Sequence, residues 1–203
     1  MIIAVEGIDG AGKRTIVEAI QREYGAHTLA FPRYATSIHA QLAQQALHGK
    51  MGDLTDSIYG MATMFALDRC GAKAQIAEYA GAAAGDGVLV LDRYVASNAA
   101  YSWARSGDRA IVDWVADLEF GQLGLPVPDL QVLVDTPPAV AQERAVKRAA
   151  ADATRARDRY ERDGSLQQAT YEAYVELAET GWASQWLRTT DASTIMQAVE
   201  AVR

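Results

Sequence analysis

The run Gly7-Ile8-Asp9-Gly10-Ala11-Gly12-Lys13 has the composition of a backbone cradle for phosphate. Glycine permits positive φ and close approach of the main chain, so successive N–H groups can converge on an anion. A helix beginning near Lys13 adds its positive N-terminal end, and the Lys13 ammonium supplies a charge that reaches a transferable phosphate. A plain glycine turn with a surface lysine accounts poorly for seven consecutive positions of the right type between a strand and a helix. One position departs from the Walker pattern. Where Ser or Thr normally follows the lysine to hold Mg²⁺, this chain has Arg14, with Thr15 one place later. Asp9 inside the loop is then the nearest candidate metal ligand. Arg14 either adds a second cation beside the phosphates or faces solvent.

Ligands of open parallel sheets bind beyond the carboxyl ends of the strands, so the residues that follow each candidate strand come next. Phe31-Pro32-Arg33-Tyr34 offers a stacking face, a rigid bend, a cation and a phenol. Asp92-Arg93-Tyr94 is followed by Ser97, Asn98 and Tyr101, and helical spacing places Tyr94, Ser97, Asn98 and Tyr101 along one side. Leu67-Asp68-Arg69 sets a charge pair on or near the apolar face of a helix. Each feature has an ordinary reading as well: Asp92-Arg93 as a strand-end ion pair, Phe31 as core, Asp68-Arg69 as a solvated pair. Together, beside a phosphate loop, they describe a second ligand. A ring to stack on, an amide that donates and accepts, and cations for a phosphate suit a nucleotide base with its 5′-phosphate.

A third cluster is basic. Arg144, Lys147, Arg148, Arg155, Arg157, Arg159 and Arg162 are seven of the 19 basic residues. On a continuous helix Arg144, Arg148, Arg155, Arg159 and Arg162 would share a face. A solvated surface balanced by Glu143, Asp152, Asp158 and Glu161 is the alternative. With a phosphate loop present, a basic flap closing over a triphosphate is the better reading, because it excludes water and brings arginines to developing charge.

Five short apolar runs can supply the strands that position these groups: Ile2 to Glu6, His27 to Phe31, Gly87 to Asp92, Leu130 to Asp135 and Trp186 to Thr190. The first, third and fourth run almost without polar interruption, as strands covered on both faces do. Long alanine-rich stretches lie between them. Leu54 to Ala83 has helical spacing, with Ile58, Met61, Phe65, Leu67 and Ile76 on one side, Asp53 or Thr55 as cap and Gly85 as stop. Alternating strand and helix predicts a doubly wound α/β fold with right-handed crossovers, in one domain over 1–203.

Composition sets the outer limits. The 203 residues are 50% hydrophobic and 22% charged, which suits a globular enzyme and excludes disorder, collagen and coiled coil. Nineteen basic against 26 acidic residues give −7, so the chain lacks the basic footprint of a nucleic-acid or membrane binder, although small anions need only a few cations. A single cysteine, Cys70, with no signal-peptide pattern and no apolar run of membrane-spanning length, predicts a soluble cytoplasmic protein. His27, His39 and His48 form no metal-ligand pattern with Cys70.

Glu6 to Lys13, Phe31-Pro32-Arg33-Tyr34, Asp92-Arg93-Tyr94 and Asp158-Arg159-Tyr160-Glu161-Arg162 together resemble the bacterial thymidylate kinases. Lys13-Arg14-Thr15 and Phe65-Ala66-Leu67-Asp68-Arg69 resemble the mycobacterial or actinobacterial form. The resemblance implies a three-layer P-loop kinase fold: a five-stranded parallel sheet ordered 2-3-1-4-5, flanked by helices, with a basic lid over about 144–162. It implies transfer of the ATP γ-phosphoryl group to dTMP, on the way to dTTP, with Mg²⁺, in a homodimer. Gly7, Ile8, Asp9, Gly10, Ala11, Gly12, Lys13, Arg14 and Thr15 would bind the ATP phosphates, and Arg148 and Arg155 would be flap arginines. Phe31 would stack on thymine, Arg69 and Asn98 would bond its edge, and Tyr101, with Ser97 on the same helix side, would crowd the 2′ position. Tyr34 and Arg93 would hold the acceptor phosphate, and Tyr160 would join the substrate site. Asp9 and Glu161 are the metal-side candidates. Lys13, Arg93, Arg148 and Asp9 would serve the transfer itself, and the Phe31–Pro32 peptide is expected to be cis.

Two other classes compete. One is a different P-loop kinase acting on another nucleotide or a deoxynucleoside. The other is a non-catalytic nucleotide sensor, against which the intact Lys13 and the basic flap argue. A GTPase lacks support because no Asn-Lys-x-Asp signature occurs.

Overall fold

The strands form where apolar residues run unbroken, because only a strand covered on both faces has no polar side to present. In the computed structural model, which describes residues 1–81, 85–151 and 159–202, β1 (Ile2–Glu6) and β4 (Leu130–Val134) are buried at every position. With β2 (His27–Ala30), β3 (Leu89–Asp92) and β5 (Gln185–Thr189) they make a parallel sheet ordered β2-β3-β1-β4-β5. The register pairs Ile2 with Leu89 and Ile3 with Leu130, so the carboxyl ends of β1, β3 and β4 lie side by side. The strands expected from the sequence are all present, with ends shifted by one or two residues. Phe31 and Asp135 lie just beyond their strands, and Gln185 opens β5.

Helices complete the layers. α1 (Lys13–Tyr24) follows β1, and α10 (Ala192–Val202) follows β5 and packs on α1 and the sheet. The chain moves outward from β1 to β2 and then returns through β3 to β4. With right-handed crossovers that reversal sends α5 (Val95–Ser106) and α9 (Gly164–Glu179) to the opposite face, where they pack on each other. α2 (Ile38–Leu47) and α3 (Ile58–Cys70) enclose a smaller apolar cluster around Leu47 and Met61. α4 (Lys73–Ala77), α6 (Ala110–Ala116), a π-helical segment (Asp117–Gln122), α7 (Pro138–Ala151) and α8 (Arg159–Arg162) complete the described elements. Among the described residues no helix is long and apolar enough to cross a membrane.

Two expectations are corrected here. The helix read as Leu54 to Ala83 is two helices. Ser57, and neither Asp53 nor Thr55, caps α3 by accepting the Gly60 N–H at 3.0 Å, while the Thr55 hydroxyl donates to the Ala46 carbonyl. The break falls at Gly71, where the end of the Arg33 side chain, arriving from β2's exit, would lie 2.7 Å from a Cβ. α4 ends at Ala77, well before Gly85. Tyr94 does not continue the row of Ser97, Asn98 and Tyr101. It is the non-helical cap of α5, and its ring turns into the core, with its hydroxyl donating to the Pro126 carbonyl at 3.0 Å. The shared arginine face cannot be followed through the lid, because 152–158 lie outside the described residues.

Candidate active site

The phosphate loop leaves β1 at Gly7 and enters α1 at Lys13, and its shape rests on positive φ at Gly7, Gly10 and Gly12. Gly12 precedes the helix without a capping side chain, and with the Thr15 N–H turned to the Gly12 carbonyl, the N–H groups of Lys13 and Arg14 are the ones at the helix start that an anion would meet. Ala11 is tied from behind by the Thr136 hydroxyl, which donates to its carbonyl at 2.8 Å. Arg144 of α7 reaches the same carbonyl at 3.4 Å. The Lys13 ammonium donates to the carbonyls of Gly7 and Ile8, at 3.0 Å each, folded back over the loop it would share with a phosphate. Burial, followed by the nearby Arg93 cation, lowers its pKa to about 8. Arg14 and Thr15 are exposed, and Arg14 pairs with Glu18 one turn on, at 2.6 Å. Of the two orientations open to Arg14, the structure has the solvent-facing one.

Beyond β3 the chain turns at Arg93, whose φ of 67° is a conformation that non-glycine residues adopt rarely and mostly where a site requires it. The turn is held by Glu6, fully buried at the end of β1, which accepts the Tyr94 N–H at 2.7 Å and the Ser97 hydroxyl at 2.6 Å. Burial raises the Glu6 pKa, against the Ser97 bond and the Arg93 charge. Arg93 pairs with Asp9, not with Asp92, at 2.6 Å, and also donates to Ser97 and Tyr174. Asp9 accepts the Tyr101 hydroxyl through its second oxygen at 2.8 Å. Burial disfavours the Asp9 anion, but Arg93, Lys13 and the Tyr101 hydroxyl outweigh it and hold the carboxylate well below its ordinary range. The result is an ionised Asp9 between two cations at the mouth of the phosphate loop.

From this cluster a cavity of about 250 Å³ extends towards α2 and α3. Asp9, Arg93, Ser97 and Tyr101 line the end near the loop, and Arg69, Asn98 and Phe65 line the far end. Phe31, 4% exposed, and Tyr34 form a side wall, and the Phe31–Pro32 peptide is cis, as expected. Tyr160, stacked on Tyr101 with ring centres 6.2 Å apart, and Glu161 close the wall from α8. The Ser97 hydroxyl lines the cavity but is engaged by Glu6, Tyr174 and Arg93. Arg155 lies outside the described residues, and so does the side chain of Arg148.

Two charge readings change. Asp68 and Arg69 are buried, not solvated, and they serve different partners. Asp68 binds the Arg33 side chain at 3.0 Å and its backbone N–H at 2.9 Å, so the cation expected of Arg33 anchors the loop after β2. Arg69 is clamped by Glu119, which is fully buried on the π-helical segment. Sequence reading passed over Glu119, Gln167 and the role of Glu6. Glu119 falls four residues after buried Val115, so the helical period did carry a signal: a carboxylate on an apolar face. Gln167 occupies the buried side of α9 seven residues before Tyr174. It accepts the Asp9 N–H at 3.3 Å and donates to the Tyr160 carbonyl at 3.1 Å, joining the phosphate loop to α8.

The family model for thymidylate kinase matches residues 5–201. A thymidylate kinase of Mycobacterium tuberculosis (strain H37Rv) is 52% identical over 195 residues, covering 92% of this chain and 90% of the relative. One from Bifidobacterium longum (strain DJO10A) is 30% identical over 209 residues, covering 99% and 94%. Among solved structures, a thymidylate kinase from Candida albicans superposes with a TM-score of 0.71 at 19% identity, over 98% of this chain and 91% of that one. A deoxyadenosine kinase from M. mycoides reaches 0.68 at 17% identity, over 99% and 100%. At these identities the two structures speak for the fold.

Proposed function

The chain belongs to the thymidylate kinase family, and from that premise we propose that it moves the γ-phosphoryl group of ATP onto the 5′-phosphate of dTMP, giving dTDP and ADP. The observation that carries this reading is the cavity itself. One end opens on Asp9 and Arg93 at the phosphate loop, and the other ends in Arg69, Asn98 and a wall of Phe31. A monophosphate at the first end and a pyrimidine at the second lie in the order that direct transfer requires.

The chemistry asks for positioning and charge neutralisation, and for no covalent intermediate. The loop amides and Lys13 would hold the donor phosphates, while Arg93, locked by Asp9, Ser97 and Tyr174, would fix the acceptor phosphate in line. Arg148 and Arg155, in a lid over about 144–162 of one P-loop domain, would add positive charge as transfer proceeds. Phe31 and Tyr34 would pack the acceptor, and Tyr101 and Tyr160 would close over its sugar.

Mg²⁺ fits this residue set. Among the described residues no group of three or more His, Cys, Asp or Glu is placed to hold a metal, but Mg²⁺ in kinases takes one or two carboxylates together with substrate phosphates. Asp9, ionised between cations, and Glu161, on the cavity wall, are the carboxylates that would hold it. The ion would neutralise phosphate charge there. We also infer a homodimer formed through α3 and α6, where Tyr59 is 53% exposed and meets Trp114 edge-on at 4.8 Å.

A coupled ADP-release assay across dTMP, dUMP, dCMP, dGMP and thymidine tests the reading. Turnover should be highest with dTMP. Preference for thymidine would assign the chain to the nucleoside kinases, and binding of ATP without turnover on any acceptor would make it a sensor.

A further inference from the structure

Behind the far end of the cavity, outside its lining, lies a fully buried carboxylate that phosphoryl transfer does not use. Glu119 accepts two parallel bonds from Arg69, Nε to Oε2 at 2.5 Å and Nη2 to Oε1 at 2.7 Å. The same Oε1 accepts from Asn98 Nδ2 at 2.8 Å, and that nitrogen also donates to the Ala62 carbonyl at 3.0 Å. A carboxylate and a carbonyl only accept, so the nitrogen side of the Asn98 amide has to face them.

This fixes what the two cavity residues have left to offer. Both N–H bonds of Asn98 are spent, and among the described residues its Oδ1 meets only the Ser102 hydroxyl, at 3.5 Å, the outer limit of a hydrogen bond. Asn98 therefore presents an acceptor. Arg69, with Nε and Nη2 engaged, presents the N–H groups of Nη1, and an arginine never accepts. A donor beside an acceptor complements a 4-oxo pyrimidine, whose edge carries an acceptor at C4 and an N–H at N3. A 4-amino pyrimidine carries the reverse pattern and would leave buried groups facing like against like.

We propose that Glu119 is a positioning residue that sets base specificity: by fixing the orientation of Arg69 and the polarity of the Asn98 amide it makes the cavity accept 4-oxo pyrimidines and reject 4-amino ones. It does so without touching the substrate. The π-helical geometry of Asp117–Gln122, closed by the Leu123 N–H on the Leu118 carbonyl and the Leu125 N–H on the Glu119 carbonyl, carries this buried side chain, and such segments are frequent at functional sites. The inference rests on the reading of the protein as a pyrimidine monophosphate kinase.

The test compares dTMP with 5-methyl-dCMP, which share methyl group, sugar and phosphate and differ only on the edge in question. In the unaltered enzyme the ratio of their kcat/KM values should be about 10³ or more. Glu119→Gln keeps the shape but introduces N–H donors where only acceptors served, so Arg69 or Asn98 has to turn. The ratio should fall about tenfold or more, with KM for ATP unchanged. Glu119→Asp, which retains the acceptors, should keep more of the ratio than Glu119→Gln. Equal losses on both substrates in Glu119→Gln would overturn the proposal. If that variant does not fold, Asn98→Ala decides, because it removes the acceptor, and an unchanged ratio there would overturn the proposal too. An unaltered enzyme that phosphorylates neither substrate would overturn the kinase reading beneath it, which is a separate result.

Discussion

Lys13 shows how a single group is tuned by what surrounds it. The loop carbonyls accept its protons, but burial and Arg93 disfavour the charge and bring its pKa from 10.5 to about 8. The sign follows from proton counts. Below about pH 8 the ammonium is charged in folded and unfolded chains alike, and its burial costs stability. Above pH 8 the folded chain sheds a proton that the unfolded chain keeps, so that cost shrinks as pH rises towards 10.5. Phosphate binding has the opposite dependence, because the bound anion requires the charged form. Affinity for a non-hydrolysable ATP analogue should therefore weaken by up to about tenfold per pH unit above pH 8, with proton uptake visible as a buffer-dependent binding enthalpy. Lys13→Ala should abolish that slope and lower kcat by about 10²-fold or more. A flat affinity profile in the unaltered protein would contradict the tuning. Lys13 and Asp9 were legible in the sequence because the loop's spacing is local. That Arg93 and Tyr101, named as site residues from 80 or more positions away, are the partners that set those charges was not.

The phosphate loop is held between two elements. Gly10 has φ of 85°, and a Cβ there would lie 2.0 Å from the Ala141 carbonyl of α7. Sequence explains why a glycine suits a phosphate cradle, but only the packing of α7 explains why this one admits nothing larger. Gly10→Ala should therefore cost roughly 2–4 kcal/mol, from the left-handed backbone and the forced separation of loop and helix. In thermal unfolding it should lower Tm by about 5–10 °C and also weaken ATP-analogue binding. A variant that keeps both would show that the loop and α7 can part freely. The split of the predicted long helix into α3 and α4 belongs to the same lesson. Ile58 to Ile76 has one helical period, yet Arg33, arriving from the loop after β2, closes on Asp68 beside Gly71. Periodicity reports a continuous apolar side and is blind to such an arrival.

The net charge of −7 describes the molecule's average, and the site departs from it. Arg93, Arg69 and Lys13 are buried or nearly so, each beside an acceptor: Asp9 for Arg93, Glu119 for Arg69, loop carbonyls for Lys13. Small anions thus meet preorganised cations while polyanions meet an acidic exterior. The inferred dimer is also a property of the whole surface. A tyrosine more than half exposed beside Trp114 is apolar area that a second copy can cover. Tyr59→Glu should sediment as a monomer at concentrations where the unaltered protein is a dimer. A monomeric unaltered protein would remove the inference.

Local order along the chain was enough for the strands, their alternation with helices, the phosphate loop and the residues at the strand ends. Each of these is written in neighbours, in runs of two-sided apolar character or in glycine spacing. Tertiary structure assigned the partners. Arg33 and Arg69 look alike in sequence, both basic and both near a strand or helix end, yet one anchors a loop through Asp68 and the other meets the cavity through Glu119. A charge does not carry its counter-charge in its own neighbourhood. The pairing is set by which elements the sheet brings together, and burial then makes each pairing obligatory because an unpartnered charge in the interior is too costly to keep.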